Sequence, residues 1–214
     1  MFIKRLFPFL FLLCCSIAAI AQNHSQAFDY GQVSGNTYTN NFFGFKVAIP
    51  EGWSVKTEEQ KKEILDLGSQ LMAGDDATMK ALVKAAEVKT ANLLFISQYE
   101  QGAPVDFNPS FGLVAENLTN SPGIKSGNDY LFHAKKFLAN SQVKYTFEKE
   151  VYNKKIGNQD FAILETSVAF PTGKIRQDYY VTVKNNYSLI FMATFGTKEN
   201  KKELDKVLKS IEFR

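Results

Sequence analysis

Between Phe161 and Phe195 the sequence leaves little freedom of fold. Three strand-length runs, Phe161–Phe170, Ile175–Lys184 and Tyr187–Phe195, are separated by short turns containing Pro171-Thr172-Gly173 and Asn185-Asn186. Pro, Gly and Asn are hairpin-turn residues, because they impose or accept backbone angles that other residues resist. Turns this short join antiparallel neighbours, since a parallel pair needs a crossover of a dozen residues or more. In the last run Leu189, Phe191 and Ala193 alternate with Ile190, Met192 and Thr194, so both faces are largely apolar. Such a strand is predicted to lie centrally in a sheet covered on both sides.

The rest of the pattern supplies the covering layers. Phe43, Phe45 and Val47 alternate with Gly44, Lys46 and Ala48, a strand period, before the turn Pro50-Glu51-Gly52 and the extended Trp53-Ser54-Val55. The period then becomes helical. Ile64, Leu67, Leu71 and Met72 form one apolar stripe, and Met79, Leu82, Val83 and Ala86 a second. Gly74-Asp75-Asp76 separates them, with Asp75 or Asp76 as N-cap of the second helix. The αα-hairpin Glu58–Val88 is expected to pack its stripes on the domain's own sheet, with a partner groove as the other use.

Strand runs follow at Asn92–Tyr99 and Phe111–Leu118, and a helix at Asn128–Leu138 with Tyr130, Leu131, Ala134, Phe137 and Leu138 on one face. Val143, Tyr145 and Phe147 alternate with Lys144, Thr146 and Glu148 in a strand with one wet face. A last helix, N-capped by Thr197, carries Leu204, Val207, Leu208 and Ile211 at helical spacing. The chain is read as α+β, a mostly antiparallel sheet with helices on its faces. We find no internal repeat or low-complexity tract.

The N-terminus reads as an address. In residues 1–21, Lys4 and Arg5 precede the apolar run Leu6–Cys15, and Ala19-Ile20-Ala21 offers small residues for cleavage before Gln22. An uncleaved anchor is disfavoured because the apolar run falls short of the roughly 20 residues that span a bilayer. Lipidation at Cys14 or Cys15 would place Leu13 or Cys14 where a small residue normally stands. Both cysteines of the chain lie in this segment, so the exported protein is expected to have none and to rest on its core. Residues 22–37 read as a flexible leader, with His24 a solvated tail residue, and 38–214 as the domain.

Two stretches carry a family likeness. Tyr38-Thr39-Asn40-Asn41-Phe42-Phe43-Gly44-Phe45 running into Pro50-Glu51-Gly52-Trp53 resembles the start of PsbP-like domains. Tyr179-Tyr180-Val181 through Leu189-Ile190-Phe191 to Ser210-Ile211-Glu212-Phe213 resembles their closing strand pair and helix. The resemblance implies the α/β/α sandwich shared by the extrinsic subunit of photosystem II and a Ran-binding nuclear import factor, proteins that bind and stabilise partners. The hairpin Glu58–Val88 is then an insertion, and no functional residue carries over. The motif residues are structural: Gly44 for close backbone approach, Pro50 and Gly52 for the turn, Trp53 as a core anchor.

Chemistry is sparse. Net charge is only +3, too little to argue for nucleic acid. Outside the leader, His133 is the only histidine, so zinc spacing is absent, as are nucleophile-elbow, P-loop and dinucleotide motifs. A Ser-His-Asp triad would have to use His133, which reads instead as the edge of a helix face. Asp75-Asp76 lacks calcium-loop spacing. Glu148 and Glu150 share a strand face and would be the carboxylate pair of a hydrolase, although solvated residues are the simpler reading. Lys154-Lys155 and Lys198, Lys201 and Lys202 read as surface charge, and the 19 Phe as core or as the lining of an apolar pocket.

The resulting expectation names no catalytic, cofactor-binding or metal residue. It is an exported, periplasmic or extracellular, non-enzymatic module that binds or stabilises an envelope partner. A carrier of a small apolar ligand is the first alternative, and a hydrolase with unconventional acidic residues the second.

Overall fold

The computed structural model describes residues 27–170 and 173–214. The signal-like segment 1–21, its cleavage site before Gln22, His24, and the turn residues Pro171 and Thr172 lie outside the described residues.

Among the described residues the chain forms twelve strands and four helices. It opens with β1 (Gln32–Ser34), β2 (Thr37–Asn40), β3 (Phe45–Ala48) and β4 (Ser54–Val55). The helical hairpin α1 (Glu58–Ala73) and α2 (Ala77–Glu87) follows, then β5 (Thr90–Ser97), β6 (Ser110–Asn117) and α3 (Gly127–Asn140). The last part runs β7 (Tyr145–Phe147), β8 (Tyr152–Ile156), β9 (Gln159–Phe170), β10 (Gly173–Lys184), β11 (Tyr187–Phe195), α4 (Lys198–Lys209) and β12 (Glu212–Phe213).

Where alternation is strict, elements fall as predicted. The strands β9, β10 and β11 form an antiparallel meander in which Tyr180 lies opposite both Ile163 and Phe191. Asn185 and Asn186 turn it with φ of 51° and 62°, the left-handed pair that a two-residue hairpin loop requires. The large sheet has the order β4-β5-β6-β11-β10-β9-β7, so the doubly apolar β11 is central; β8 also pairs with β9. A second sheet, β1-β2-β3-β12, joins the start of the domain to its end. There Glu212 lies opposite Lys46, and the Arg214 N–H donates to the Gly44 carbonyl at 2.8 Å.

Each face of the large sheet has its own core. Leu189, Phe191 and Ala193 pack with Leu204, Val207 and Leu208 of α4 and with Phe45 and Val47 of the small sheet. The Phe45 and Phe191 rings lie 5.7 Å apart, near edge-to-face. On the opposite face Ala162, Leu164, Val181 and Ile190 meet Leu131 and Leu138 of α3. Helices therefore flank an antiparallel sheet, the α+β sandwich anticipated from the pattern. Thr197 caps α4 by accepting from the Asn200 N–H at 3.2 Å, and Asp76 caps α2 through the Met79 N–H at 2.9 Å. No helix among the described residues is long and apolar enough to cross a membrane.

Four expectations change. Within the stretch read as a flexible leader, residues 27–37 are tied down. The Phe28 ring lies 5.2 Å from those of Phe42 and Tyr187, Asp29 accepts from the Gly31 N–H at 2.8 Å, and β1 pairs with β2. Isolated aromatics anchor a segment without producing any period. Phe43 and Gly44 belong to a turn, so Gly44 is required by its φ of 62° and not by strand packing. The strand β8 was not anticipated because four of its five residues are exposed. Finally, the hairpin seats its stripes only in part, with Met72 packed against the core on the α3 side of the sheet. Met79 and Val83 pack with Ala73 and Phe137, while Leu67 and Leu71 are each 59% exposed and Leu82 is 50% exposed.

Candidate functional site

The partly seated hairpin leaves a cleft between itself and the sheet. Thr57 and Gln60 close a reciprocal capping box that starts α1, with Gln60 N–H to Thr57 Oγ1 at 3.3 Å and Thr57 N–H to Gln60 Oε1 at 3.0 Å. That start is moored to β5, because the Lys56 N–H donates to the Phe95 carbonyl at 2.9 Å and Lys61 Nζ to the Asn92 carbonyl at 3.2 Å. The far end is moored beside β7, where the Gln142 N–H donates to the Met72 carbonyl at 2.8 Å. Between β5 and β7 lie β6, β11, β10 and β9. Five inter-strand steps of about 4.8 Å cover roughly 24 Å, which is also the length of sixteen residues at a rise of about 1.5 Å. The helix is thus a strap across the sheet, fixed at both ends.

Beneath it is a half-open cleft of about 460 Å³. Its roof is Ile64, Leu65, Gly68, Leu71 and Met72 of α1. Its floor is Val114 of β6, Met192 and Thr194 of β11, Ile175, Gln177 and Tyr179 of β10, and Val168 of β9, with Tyr145 beyond. Phe95 and Phe107 also contribute to its lining. The middle of the roof is open: a Cβ on Gly68 there would have no neighbour within 4 Å.

The few polar groups in the lining fall into two sets. On the floor, the Tyr179 hydroxyl donates to Gln177 Oε1, and Gln177 Nε2 donates to Thr194 Oγ1 at 3.2 Å. Burial holds the Tyr179 and Tyr145 phenols above the usual tyrosine range, so both remain neutral. Near the start of α1, the Lys61 ammonium also contacts Glu58 Oε1 at 2.6 Å, and the buried Asn92 Oδ1 has no hydrogen-bond partner. Among the described residues Lys61 is the one charged side chain in the lining, which contains no Asp or Glu. An arrangement of this kind can hold and orient an apolar molecule.

The residues weighed in the sequence lie elsewhere. His133 is exposed on α3 with its ring against Phe132. Glu148 and Glu150 follow the end of β7 instead of sharing its face, and they are engaged separately. Glu148 accepts from Ser167 Oγ and Lys174 Nζ, both at 2.5 Å, which holds its carboxyl below the usual range. Glu150, with its side chain 91% exposed, pairs with Lys135 at 3.1 Å. The adjacent pair Asp75-Asp76 divides its roles, Asp76 capping α2. Lys155 pairs with Asp160 at 3.0 Å, and Lys201 with Asp205 at 2.5 Å.

A second polar cluster, not anticipated, sits under α4 on the other face of the sheet. Asp178 is buried, 3.9 Å from Lys201 Nζ, and faces Glu165 across the β9–β10 ladder. Burial pushes its carboxyl up to about 6, with Lys201 opposing and Glu165 adding to the rise. Tyr152 of β8 donates to Glu165 at 2.7 Å. Among the described residues no group of three or more His, Cys, Asp or Glu gathers to hold a metal ion.

No protein-family model matches the sequence, and no curated protein matches it significantly. Solved structures are similar to it in varying degree. The cyanobacterial PsbP of Synechocystis is similar at a TM-score of 0.51 and 12% identity, over 86% of this chain and 98% of that one. A Bacteroides thetaiotaomicron protein has a TM-score of 0.45 and 12% identity, over 85% of this chain and 49% of its own. LpqN, involved in cell envelope biogenesis of Mycobacterium tuberculosis, has a TM-score of 0.39 and 11% identity, over 78% of this chain and 82% of its own.

Proposed function

We propose that this chain of PsbP-like fold is an exported, non-enzymatic binding module of the cell envelope that holds a small apolar ligand in the cleft beneath α1. The cleft itself carries the reading. Its 460 Å³ falls in the range of small-molecule pockets, and its lining is mostly aliphatic and aromatic with a few fixed polar groups. Export is supported by the charged, apolar and small-residue order of residues 1–21. A non-catalytic role is supported by the neutral floor, whose phenols ionise only far above neutrality.

The test is a titration with the neutral fluorescent probe N-phenyl-1-naphthylamine. The parent protein is expected to enhance its emission saturably, and Gly68→Leu, which grows a side chain into the open roof, to abolish the effect. No saturable enhancement in the parent, or undiminished enhancement in the variant, would remove the proposal.

A second reading, a module that stabilises a partner protein, is favoured by the exposed Leu67 and Leu82 on the hairpin. Its expected signature is loss of a co-purifying protein in Leu67→Glu/Leu82→Glu while probe binding persists.

A further inference from the structure

We infer that the ligand of the cleft is a single-chain anionic amphiphile, its head group at Lys61 and its chain lying along α1 toward Tyr145. This inference rests on the cleft being the ligand site.

Charge complementarity selects the head. Lys61 is the sole ionic side chain of the lining, and its side chain is only 9% exposed, so its ammonium is largely stripped of water. An ammonium has three N–H donors, and the contacts to the Asn92 carbonyl and Glu58 occupy two. Glu58 is a replaceable partner. It is 80% exposed at the rim and lies three residues away on the same helix, where ion pairs hold weakly. An anionic head thus meets the Lys61 ammonium, one of whose protons is unengaged, at this end of the cleft. A cationic head meets Lys61 itself, and a purely apolar molecule leaves the third ammonium proton without a partner.

Shape selects the chain. The cleft runs from Lys61 beneath Ile64, Gly68 and Met72, so its charged side chain is at one end. At roughly 30 Å³ for each water-sized group it admits about fifteen non-hydrogen atoms, which suits one chain of medium length.

The experiment compares four probes of equal chain length by titration calorimetry below their micellar concentrations: dodecanoate, dodecyl phosphate, dodecanol and dodecylamine. At least one anion should bind the parent about tenfold or more tighter than dodecanol, and the tighter anion tells a carboxylate source from a phosphate one. Lys61→Met should bring that anion within about twofold of dodecanol while leaving dodecanol binding intact. Glu58→Gln, which removes the competing carboxylate without disturbing the buried lysine, should tighten the anion alone. Dodecanol or dodecylamine binding as tightly as both anions, or an anion preference that survives Lys61→Met, would overturn the head-group assignment while leaving the cleft standing. Failure of all four probes to bind, or binding unaffected by Gly68→Leu, would instead overturn the cleft as the ligand site, and this inference with it.

Discussion

Gly68 in α1 and Gly127 at the start of α3 sit over the same face of the sheet in opposite circumstances. A Cβ on Gly68 would have no neighbour within 4 Å, whereas one on Gly127 would collide with the Val181 carbonyl oxygen and press on Ala162 at 3.0 Å. One helix stands off the sheet, and the other touches it backbone to backbone.

The pair gives opposite mutational outcomes. Gly68→Ala should raise stability by about 0.5–1 kcal/mol, the helix-propensity difference with nothing to oppose it. Gly127→Ala should lower it by about 1–3 kcal/mol through overpacking. Urea unfolding of both variants checks this. A destabilised Gly68→Ala would mean that α1 lies flush on the sheet and the cleft is closed.

Asp178 should make stability depend on pH. Its carboxyl is pushed up to about 6 in the folded protein, against about 3.9 in an unfolded chain. Below about pH 4 both states hold the proton and the group contributes no difference. As pH rises toward 6 the unfolded chain releases its proton first, so folding loses stability, and the loss is complete above about 6. The stability of Asp178→Asn relative to the parent should therefore rise by on the order of 1–3 kcal/mol between pH 4 and pH 7. Denaturant midpoints across that range measure it; a difference independent of pH would show that Lys201 compensates the buried charge fully.

Thr197→Ala should cost about 1 kcal/mol, because the cap oxygen that accepts from the Asn200 N–H is lost. Thr197→Ser, which keeps that oxygen, should recover most of the loss in a thermal melt. Equal destabilisation by both would point to the threonine methyl as the contributor.

Legibility followed periodicity. The alternation Leu189, Phe191, Ala193 against Ile190, Met192, Thr194 announced a central strand, and Thr197 announced its helix, because these signals are local and repeat. The strands β1 and β8 lie at sheet edges with exposed side chains, so neither had an apolar period to read. The cleft was harder still. Gln177 and Tyr179 read as ordinary alternation within a strand, and their exposure to a cavity depends on how high α1 rides above them. That height is set by moorings far apart in sequence, Lys61 to Asn92 and Gln142 to Met72. The glycine at 68, in the middle of an otherwise strong helical pattern, was the local trace of the gap, and composition alone does not distinguish it from a neutral substitution. Glu148 and Glu150 misled for the converse reason: period-two spacing continued on paper after the strand had ended at Phe147.

The pairing of β12 with β3 makes the end of the domain a clasp on its beginning. A chain leaving the ribosome N-terminus first exposes the edge of β3 until Glu212 and Phe213 have been synthesised. The small sheet, and with it one wall of the larger core, can close only after the domain has been translated in full.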